Sequence, residues 1–337
     1  MCLWKTLSSK SRQISKFKCQ LPTPLHLTLP AIKILAMKNY INYTKFLLVW
    51  VFLVIIAGGV VRMTQSGMGC PDWPKCFGKW VPPTNESQLP QDFVKYLKKQ
   101  DIDHTFNAYH TWIEYINRLL GAVLGFWIFI HVIWSYRKFF RTHRSIFWWS
   151  FVLLLLTGFQ GWLGKKVVDA NLAVVKITTH MVVALFIAAI PILILHKLSN
   201  RIKVENRTLK ILSLAALFLL VVQISFGTDV REQIDEISKS LNYMQRELWI
   251  ERLDGWFKIH RSFSWVVGAC LALVAFLSYQ RKELQQHAFL NVALVALLIL
   301  LGMTMMYANI PAIVQPLHLL ATCILAISLF SFSLKLK

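Results

Sequence analysis

The chain has 337 residues, of which 56% are apolar, and it carries a formal net charge of +21. Its mean hydropathy of +0.50 excludes an ordinary soluble domain and indicates a protein that crosses a membrane several times. The positive charge could suggest nucleic acid, but the basic residues concentrate in short connections between apolar segments. We therefore interpret the charge as a topology signal that also contacts anionic membrane lipid, and we expect no nucleic-acid partner.

The first 36 residues contain Lys, Arg and Ser but neither Asp nor Glu. This composition is typical of a transit peptide. It also fits untranslated sequence ahead of a later start, because Met37 leads directly into the first apolar segment. We favour the later start and treat residues 1–36 as an N-terminal extension without a part in the fold, although starts at Met1 and Met37 both stay open.

Eight apolar segments follow, each long enough to cross ~30 Å of hydrocarbon as a helix. We place them at about 46–63, 119–136, 146–163, 173–195, 209–227, 262–280, 288–306 and 313–334. Every second connection is short and basic, as in RKFFRTHR after the second segment. Because basic connections stay on the cytoplasmic side, both termini are predicted to be cytoplasmic and the intervening connections to face outward.

The two halves of the chain repeat each other. TWIEYINRLLGAVLGFWIFI around Asn117 matches WFKIHRSFSWVVGACLALVAF around His260, and ITTHMVVALFIAAI with His180 matches QPLHLLATCILAIS with His318. FLVIIAGGVVR and LVVQISFGTDVR form a further matching pair ahead of them. The sequence therefore predicts an all-α membrane protein of two tandem four-helix bundles related by internal duplication, residues 37–200 and 201–337.

The first outward connection contains a cysteine pair, Cys70 and Cys76, in SGMGCPDWPKCFGKWVPP. Pro71 and Pro74 bend the chain between them, which allows the Cα atoms to come within about 7 Å. Since this connection faces an oxidising compartment, we predict a disulfide, with a redox role beyond structure left open. Zinc is a weaker interpretation because no second Cys or His pair lies nearby, and two free structural thiols are the plainest alternative.

Histidines His180, His260 and His318 lie near the outward ends of their segments, and Asn117 occupies the corresponding place in the second segment. A single histidine at a membrane boundary is most often an interfacial or packed residue, but here a histidine recurs at matching positions in both halves. Neutral imidazole is a good axial ligand for heme iron, and helix bundles build such sites from facing helices. His260 and His318 could thus hold the two faces of one heme.

The first half differs at the matching place. Asn117 is not an ordinary iron ligand, and Glu114 lies one turn before it on the same helix face, where the second half has Phe257. A carboxylate at the membrane boundary is either hydrated or functional, and its presence in one half alone favours function. His110, two turns before Asn117, is an alternative ligand if the helix extends outward.

Four arginines, Arg62, Arg118, Arg231 and Arg261, recur as pairs at outward helix ends. The carboxylates of an outward-facing heme would need such partners. Ordinary snorkelling of arginine toward the membrane surface explains the positions equally well.

These residues together resemble the heme A synthase family, which converts heme O into heme A for cytochrome c oxidase. The resemblance covers about residues 40–335 and rests on GGVVRMTQSGMGCPDWPKC, IEYINR, KIHR and the two later histidines. It implies a membrane oxidoreductase that oxidises the C8 methyl group of heme O to a formyl group by successive hydroxylations. It also implies a heme b cofactor on His260 and His318. From their positions, we predict Arg231 and Arg261 as the partners of its carboxylates.

The resemblance further implies that the first half binds heme O, with His180 as an iron ligand, Arg62 and Arg118 nearby, and Glu114 as the catalytic carboxylate. The family pattern Glu-x-x-His-Arg is here Glu-Tyr-Ile-Asn-Arg, so Asn117 replaces one expected ligand. The family's second cysteine pair, found in many bacterial members, has no counterpart in residues 228–260.

The expected partners are heme O itself, a heme O synthase, an electron donor and membrane lipid, with a homo-oligomer left open. The expected location is the bacterial inner membrane, or alternatively the mitochondrial inner membrane. The main rival function is a b-type cytochrome without substrate chemistry, which would need a second ligand where Asn117 stands. A transporter built from repeats is less favoured, because the polar residues cluster at one surface.

Overall fold

Eight long α-helices dominate the computed structural model, which describes residues 29–97, 106–169, 174–199 and 203–337. In chain order the α-helices are α1 (Leu29–Met63), α2 (Val94–Leu97), α3 (Ala108–Phe139), α4 (Arg144–Asp169), α5 (Val174–Leu198), α6 (Arg207–Ser240), α7 (Glu247–Glu251), α8 (Gly255–Tyr279), α9 (Lys282–Tyr307) and α10 (Val314–Ser333). No β-strand occurs within those ranges. Most of the predicted N-terminal extension, residues 1–28, lies outside the described residues. The predicted start of the fourth segment at residue 173 and the predicted boundary between the halves at residues 200 and 201 also lie outside them.

All of these helices except the short α2 and α7 are long and apolar enough to cross a membrane. In such helices the backbone polar groups are satisfied internally, as hydrocarbon requires. The prediction of an all-α, multi-pass membrane protein with eight spanning helices is therefore confirmed.

Residues Tyr40–Lys337 form one compact unit in which neighbouring helices pack on each other. The helix α3 packs on α4, α4 on α5, α6 on α8, α8 on α9, and α9 on α10. The two predicted halves meet through α5, α6 and α10, since α10 packs on both α5 and α6. This arrangement is consistent with the predicted duplication, while the division at residues 200 and 201 stays a prediction.

The connections predicted to be cytoplasmic lie at one end of this unit. The hydroxyl of Tyr40, on α1, lies 3.3 Å from the hydroxyl of Ser150, near the connection between α3 and α4. The backbone N–H of Val204, between α5 and α6, donates to the Lys335 carbonyl at 2.9 Å. The C-terminal residues therefore lie beside the connection between the two halves.

At the opposite end, α3 and α6 extend furthest beyond their predicted apolar segments. Helix α3 begins at Ala108 rather than near residue 119, because the Asn107 side chain caps its first backbone N–H groups. Helix α6 continues to Ser240 rather than ending near residue 227. Its extra turns are held by an apolar cluster of Val230, Ile234, Trp249 and Ile310.

Candidate functional site

Each of four long helices, α3, α5, α8 and α10, carries one of these residues in its N-terminal part: Asn117, His180, His260 and His318 respectively. Each of the four residues faces a glycine on the preceding long helix. A Cβ atom added at Gly58 would lie 4.0 Å from Asn117 Oδ1. A Cβ atom added at Gly164, Gly227 or Gly302 would lie 3.7, 3.1 or 3.9 Å from Cε1 of His180, His260 or His318, respectively. The four positions therefore share one local geometry, a polar side chain held beside a helix that lacks a side chain there.

The same four positions carry buried polar atoms without hydrogen-bond partners in the described part of the chain. These atoms are the Nδ1 atoms of His180, His260 and His318, and Oδ1 of Asn117. A buried polar atom left unpaired costs about 1–3 kcal/mol, so such a set calls for an explanation.

The ligand set fits heme better than an ion held by protein alone. Within the described residues, no three His, Cys, Asp or Glu side chains come together as a metal site. A protein-bound ion usually requires three or four such ligands. Heme iron already has the porphyrin nitrogens, so two imidazoles, such as those of His260 and His318, would suffice as its protein ligands.

Glu114 is nearly fully buried, with 4% of its surface exposed. Its Oε2 accepts a hydrogen bond from the backbone N–H of Cys70 at 2.7 Å, and its Oε1 accepts one from Arg118. The Arg118 guanidinium also donates to the carbonyls of Cys70 at 2.8 Å and Asp72 at 2.5 Å. The carboxylate is thus fixed between α3 and the connection that follows α1, one turn before Asn117.

Cys70 and Cys76 form a disulfide, as predicted. We call residues 69–79 the disulfide loop. Both cysteines are buried with Phe77, against Phe106 and Tyr115. Inside the loop, the Asp72 carboxylate accepts from the backbone N–H groups of Phe77 and Gly78, at 2.6 and 2.9 Å.

Gly69 allows the disulfide loop to sit directly on α3. The Thr111 hydroxyl donates to the Gly69 carbonyl at 2.9 Å. A Cβ atom at Gly69 would lie 2.3 Å from the His110 carbonyl oxygen, so only glycine permits this approach. His110 is helical, as the extended α3 requires, and its backbone forms part of the floor under the loop.

Two of the four arginines meet on one carboxylate. Arg62 and Arg231 both bind Asp235, at 2.8 and 2.7 Å. Arg231 also donates to Gln315 and to the Arg62 carbonyl, so this cluster joins α1, α6 and α10. Arg261 is exposed, with its guanidinium 5.9 Å from the centre of the Phe257 ring.

The family model for "Cytochrome oxidase assembly protein" (COX15-CtaA) matches residues 42–330, which include every position described above. The chain belongs to this family. The assignment agrees with the resemblance found in the sequence.

Curated relatives of this family member carry the name heme A synthase. The protein of Shewanella oneidensis is 28% identical over 54% of this chain and 54% of its own length. That of Pelagibacter ubique is 29% identical over 56% of this chain and 61% of its own, and that of Sphingopyxis alaskensis is 26% identical over 82% and 85%. The match spans only about half to three fifths of the length of the first two relatives.

Three features of this COX15-CtaA family member were missed by the sequence analysis. Asp235, which bridges Arg62 and Arg231, carries no sequence signal of its own. The glycines facing the histidines did carry one, since Gly164 precedes His180 and Gly302 precedes His318 by the same interval (180 − 164 = 318 − 302 = 16). The glutamines Gln160 and Gln223 were also missed; each donates its side-chain amide to a histidine carbonyl at 2.9 Å, those of His180 and His260.

Proposed function

We propose that this protein is a heme A synthase, which oxidises the C8 methyl group of heme O to a formyl group by successive hydroxylations. The observation that carries the proposal is the asymmetry of two otherwise similar sites. His260 and His318 form a matched imidazole pair in the second half. In the first half, His180 is paired with Asn117, and the buried Glu114 lies one turn away.

The second half suits a resident heme b. His260 and His318 would hold its iron, and their unpaired Nδ1 atoms and facing glycines Gly227 and Gly302 are consistent with rings kept in place for a ligand. When bound, such a heme supplies one-electron transfer, while the protein supplies orientation and electrostatics. The two histidine-bearing helices α8 and α10 both pack on α6, which fixes their separation.

The first half suits heme O as substrate. His180 would be its one strong iron ligand, and Asn117 would leave the opposite face open, because an amide is a poor iron ligand but a good hydrogen-bonding group. Glu114 would hold or transfer a proton at its carboxylate. Arg118 and the Cys70 N–H fix the orientation of that carboxylate, so its position depends on the disulfide loop.

The arginines differ in how readily they could bind heme carboxylates. Arg261 is exposed, whereas Arg62 and Arg231 already share Asp235, so a carboxylate ligand would compete with Asp235 for them. Arg118 donates to the disulfide loop and to Glu114. We therefore expect Arg261 to be the first carboxylate partner of the cofactor and Arg118 to position Glu114.

The predicted topology extends this proposal to location and partners. Both termini would face the cytoplasm of a bacterial inner membrane, or the matrix in mitochondria, with the four ligand positions near the outer surface. A heme O synthase would deliver the substrate from within the membrane, and an electron donor would serve the heme b site.

Analysis of the pigment bound to the purified protein tests the proposal. The full chain is expressed in cells that make heme O, and the hemes are extracted and separated by chromatography. Heme A or a hydroxylated heme O is expected together with heme b. Heme b alone, in a protein that binds heme O without changing it, would favour the b-type cytochrome instead.

A further inference from the structure

Two glutamines stand in the same relation to two histidines. The side-chain Nε2 of Gln160, on α4, donates to the backbone carbonyl of His180 at 2.9 Å. That of Gln223, on α6, donates to the carbonyl of His260, also at 2.9 Å. Since a carbonyl can only accept, the amide nitrogen must face it and the amide oxygen must point elsewhere.

The side-chain amide oxygens of these two glutamines have no hydrogen-bond donor. Oε1 of Gln160 and Oε1 of Gln223 are buried and have no partner in the described part of the chain. Each half therefore holds a buried acceptor without a donor, on the side chain bonded to the carbonyl of a histidine. The Nδ1 atoms of His180 and His260 are likewise buried and unpaired.

In each half, the glutamine lies on the helix face that meets the ring of its histidine. Gln223 precedes Gly227 by one helical turn, so both lie on one face of α6. A Cβ atom at Gly227 would be 3.1 Å from Cε1 and 3.6 Å from Nδ1 of His260, which shows that this face meets the Nδ1 edge of the ring. Gln160 precedes Gly164 by the same interval, and Gly164 faces Cε1 of His180 at 3.7 Å.

Most metal-bound imidazoles have such an acceptor. The ring binds the metal through one nitrogen and almost always donates the N–H of the other to a carbonyl, a carboxylate or water. That hydrogen bond fixes the tautomer and ring orientation, and it makes the ligand more basic.

We propose that Gln160 and Gln223 are positioning residues for His180 and His260. Each amide nitrogen fixes the histidine's backbone carbonyl, and each Oε1 accepts the Nδ1–H of the ring, directly or through one water, when Nε2 binds heme iron. This inference rests on the proposed function, because it assumes that both histidines bind iron. It adds to the proposed function that one iron-binding histidine in each half is held in position by a glutamine.

The other two ligand positions lack this support. The residues one turn before Gly58 and Gly302 are Val54 and Leu298, which are apolar. The duplication does not explain the pattern, because Gln160 lies on the third long helix of its half and Gln223 on the first. Each half therefore has one histidine whose carbonyl is bound by a glutamine, His180 in the first half and His260 in the second.

The test uses the purified full-length protein with its resident heme. In Gln223→Leu, the side chain has a similar size but no acceptor, so His260 becomes a less basic ligand. We expect the midpoint potential of the low-spin heme to move to a more positive value and its electron paramagnetic resonance g values to change. Gln223→Glu keeps an acceptor oxygen and should have a potential at or below that of the wild type.

Two further variants make the test specific. Gln160→Leu should leave the resident heme's potential and spectrum unchanged while weakening the binding of added heme O. Leu298→Gln, which places a glutamine one turn before Gly302, should lower the potential through His318. A resident heme that responds equally to Gln223→Leu and Gln223→Glu, or to neither, would overturn the positioning role. A wild-type protein that binds no heme would instead refute the proposed function itself.

Discussion

The backbone N–H of Cys70 donates a hydrogen bond of 2.7 Å to the carboxylate of Glu114. This bond joins one half of the disulfide to the only buried acidic side chain among the described residues. Any change in the disulfide loop that moves the Cys70 backbone therefore also moves the carboxylate. The position of the proposed catalytic group therefore depends on the conformation of the disulfide loop.

Glu114→Gln should suppress formation of heme A while leaving heme b bound. The amide retains the shape of the carboxylate but cannot transfer a proton, and its NH₂ group would face Arg118, which is also a donor. We expect a loss of roughly 10²–10⁴-fold in product formation, as for other general acid–base groups. Chromatography of extracted hemes measures the product, and Glu86→Gln, in the same outward connection, is the control. Wild-type product levels in Glu114→Gln would mean that the carboxylate is structural.

The disulfide should be present in protein isolated with its free thiols blocked, and mass spectrometry should find Cys70 and Cys76 unalkylated. Replacing both by Ser should destabilise the loop by about 2 kcal/mol, from the entropy of closing a loop this short. Because Cys70 anchors Glu114, product formation should fall as well, whereas the spectrum of the heme b site should not change. Full activity of the double variant would limit the disulfide to a minor structural role.

The fold could be predicted largely from sequence because hydropathy alone reveals helices that must cross a membrane. The repeat then aligned Asn117, His180, His260 and His318, and the structure places all four in the N-terminal parts of long helices, each with a facing glycine. The start of α3 and the end of α6 were missed because those turns leave the apolar segment. They are held by the Asn107 cap and by contacts with Trp249, which hydropathy does not register.

The parts of the site that sequence could not provide depend on which helices touch. Asp235 is an ordinary acidic residue in an outward helix until Arg62 and Arg231 are seen to converge on it. Gln160 and Gln223 are polar residues in apolar segments, a recognisable signal. Their role becomes visible only when the carbonyl that each one binds is known.

Gly227→Ala should disturb the heme b site, whereas Gly302→Ala should not. The added methyl group would lie 3.1 Å from Cε1 of His260 at the first position but 3.9 Å from Cε1 of His318 at the second. Crowding of this kind costs about 1–3 kcal/mol, and here it acts on the ring of a proposed iron ligand. We expect a reduced low-spin absorbance for Gly227→Ala alone. Identical spectra for the two variants would contradict the assignment of His260.

Asn117→His should restore the ligand found in the family pattern. The position has room, because even a Cβ atom added at Gly58 would lie 4.0 Å from Asn117 Oδ1. An imidazole on the open face should raise the low-spin fraction of heme bound in the first half, with activity kept or reduced rather than abolished. Electron paramagnetic resonance of protein loaded with heme O measures this fraction. An unchanged spin state would show that residue 117 does not face the substrate iron.

His180→Ala is expected to be far more damaging than any change at Asn117, because it removes the one strong iron ligand proposed for the substrate. The backbone carbonyl that Gln160 binds would remain, so the helix pair should keep its packing while the substrate loses its anchor. Misplacing a reacting group by about 1 Å can reduce a rate 10²-fold, and complete loss of the ligand should cost at least that much. Heme A formation and heme O binding are measured in parallel, with the absorbance of heme b as the internal control for folding. His110→Ala serves as the matched variant, since its helical position in α3 makes it the alternative ligand. Normal turnover in His180→Ala together with its loss in His110→Ala would transfer the ligand role to His110. It would also overturn the match between the two halves, in which His180 corresponds to His318.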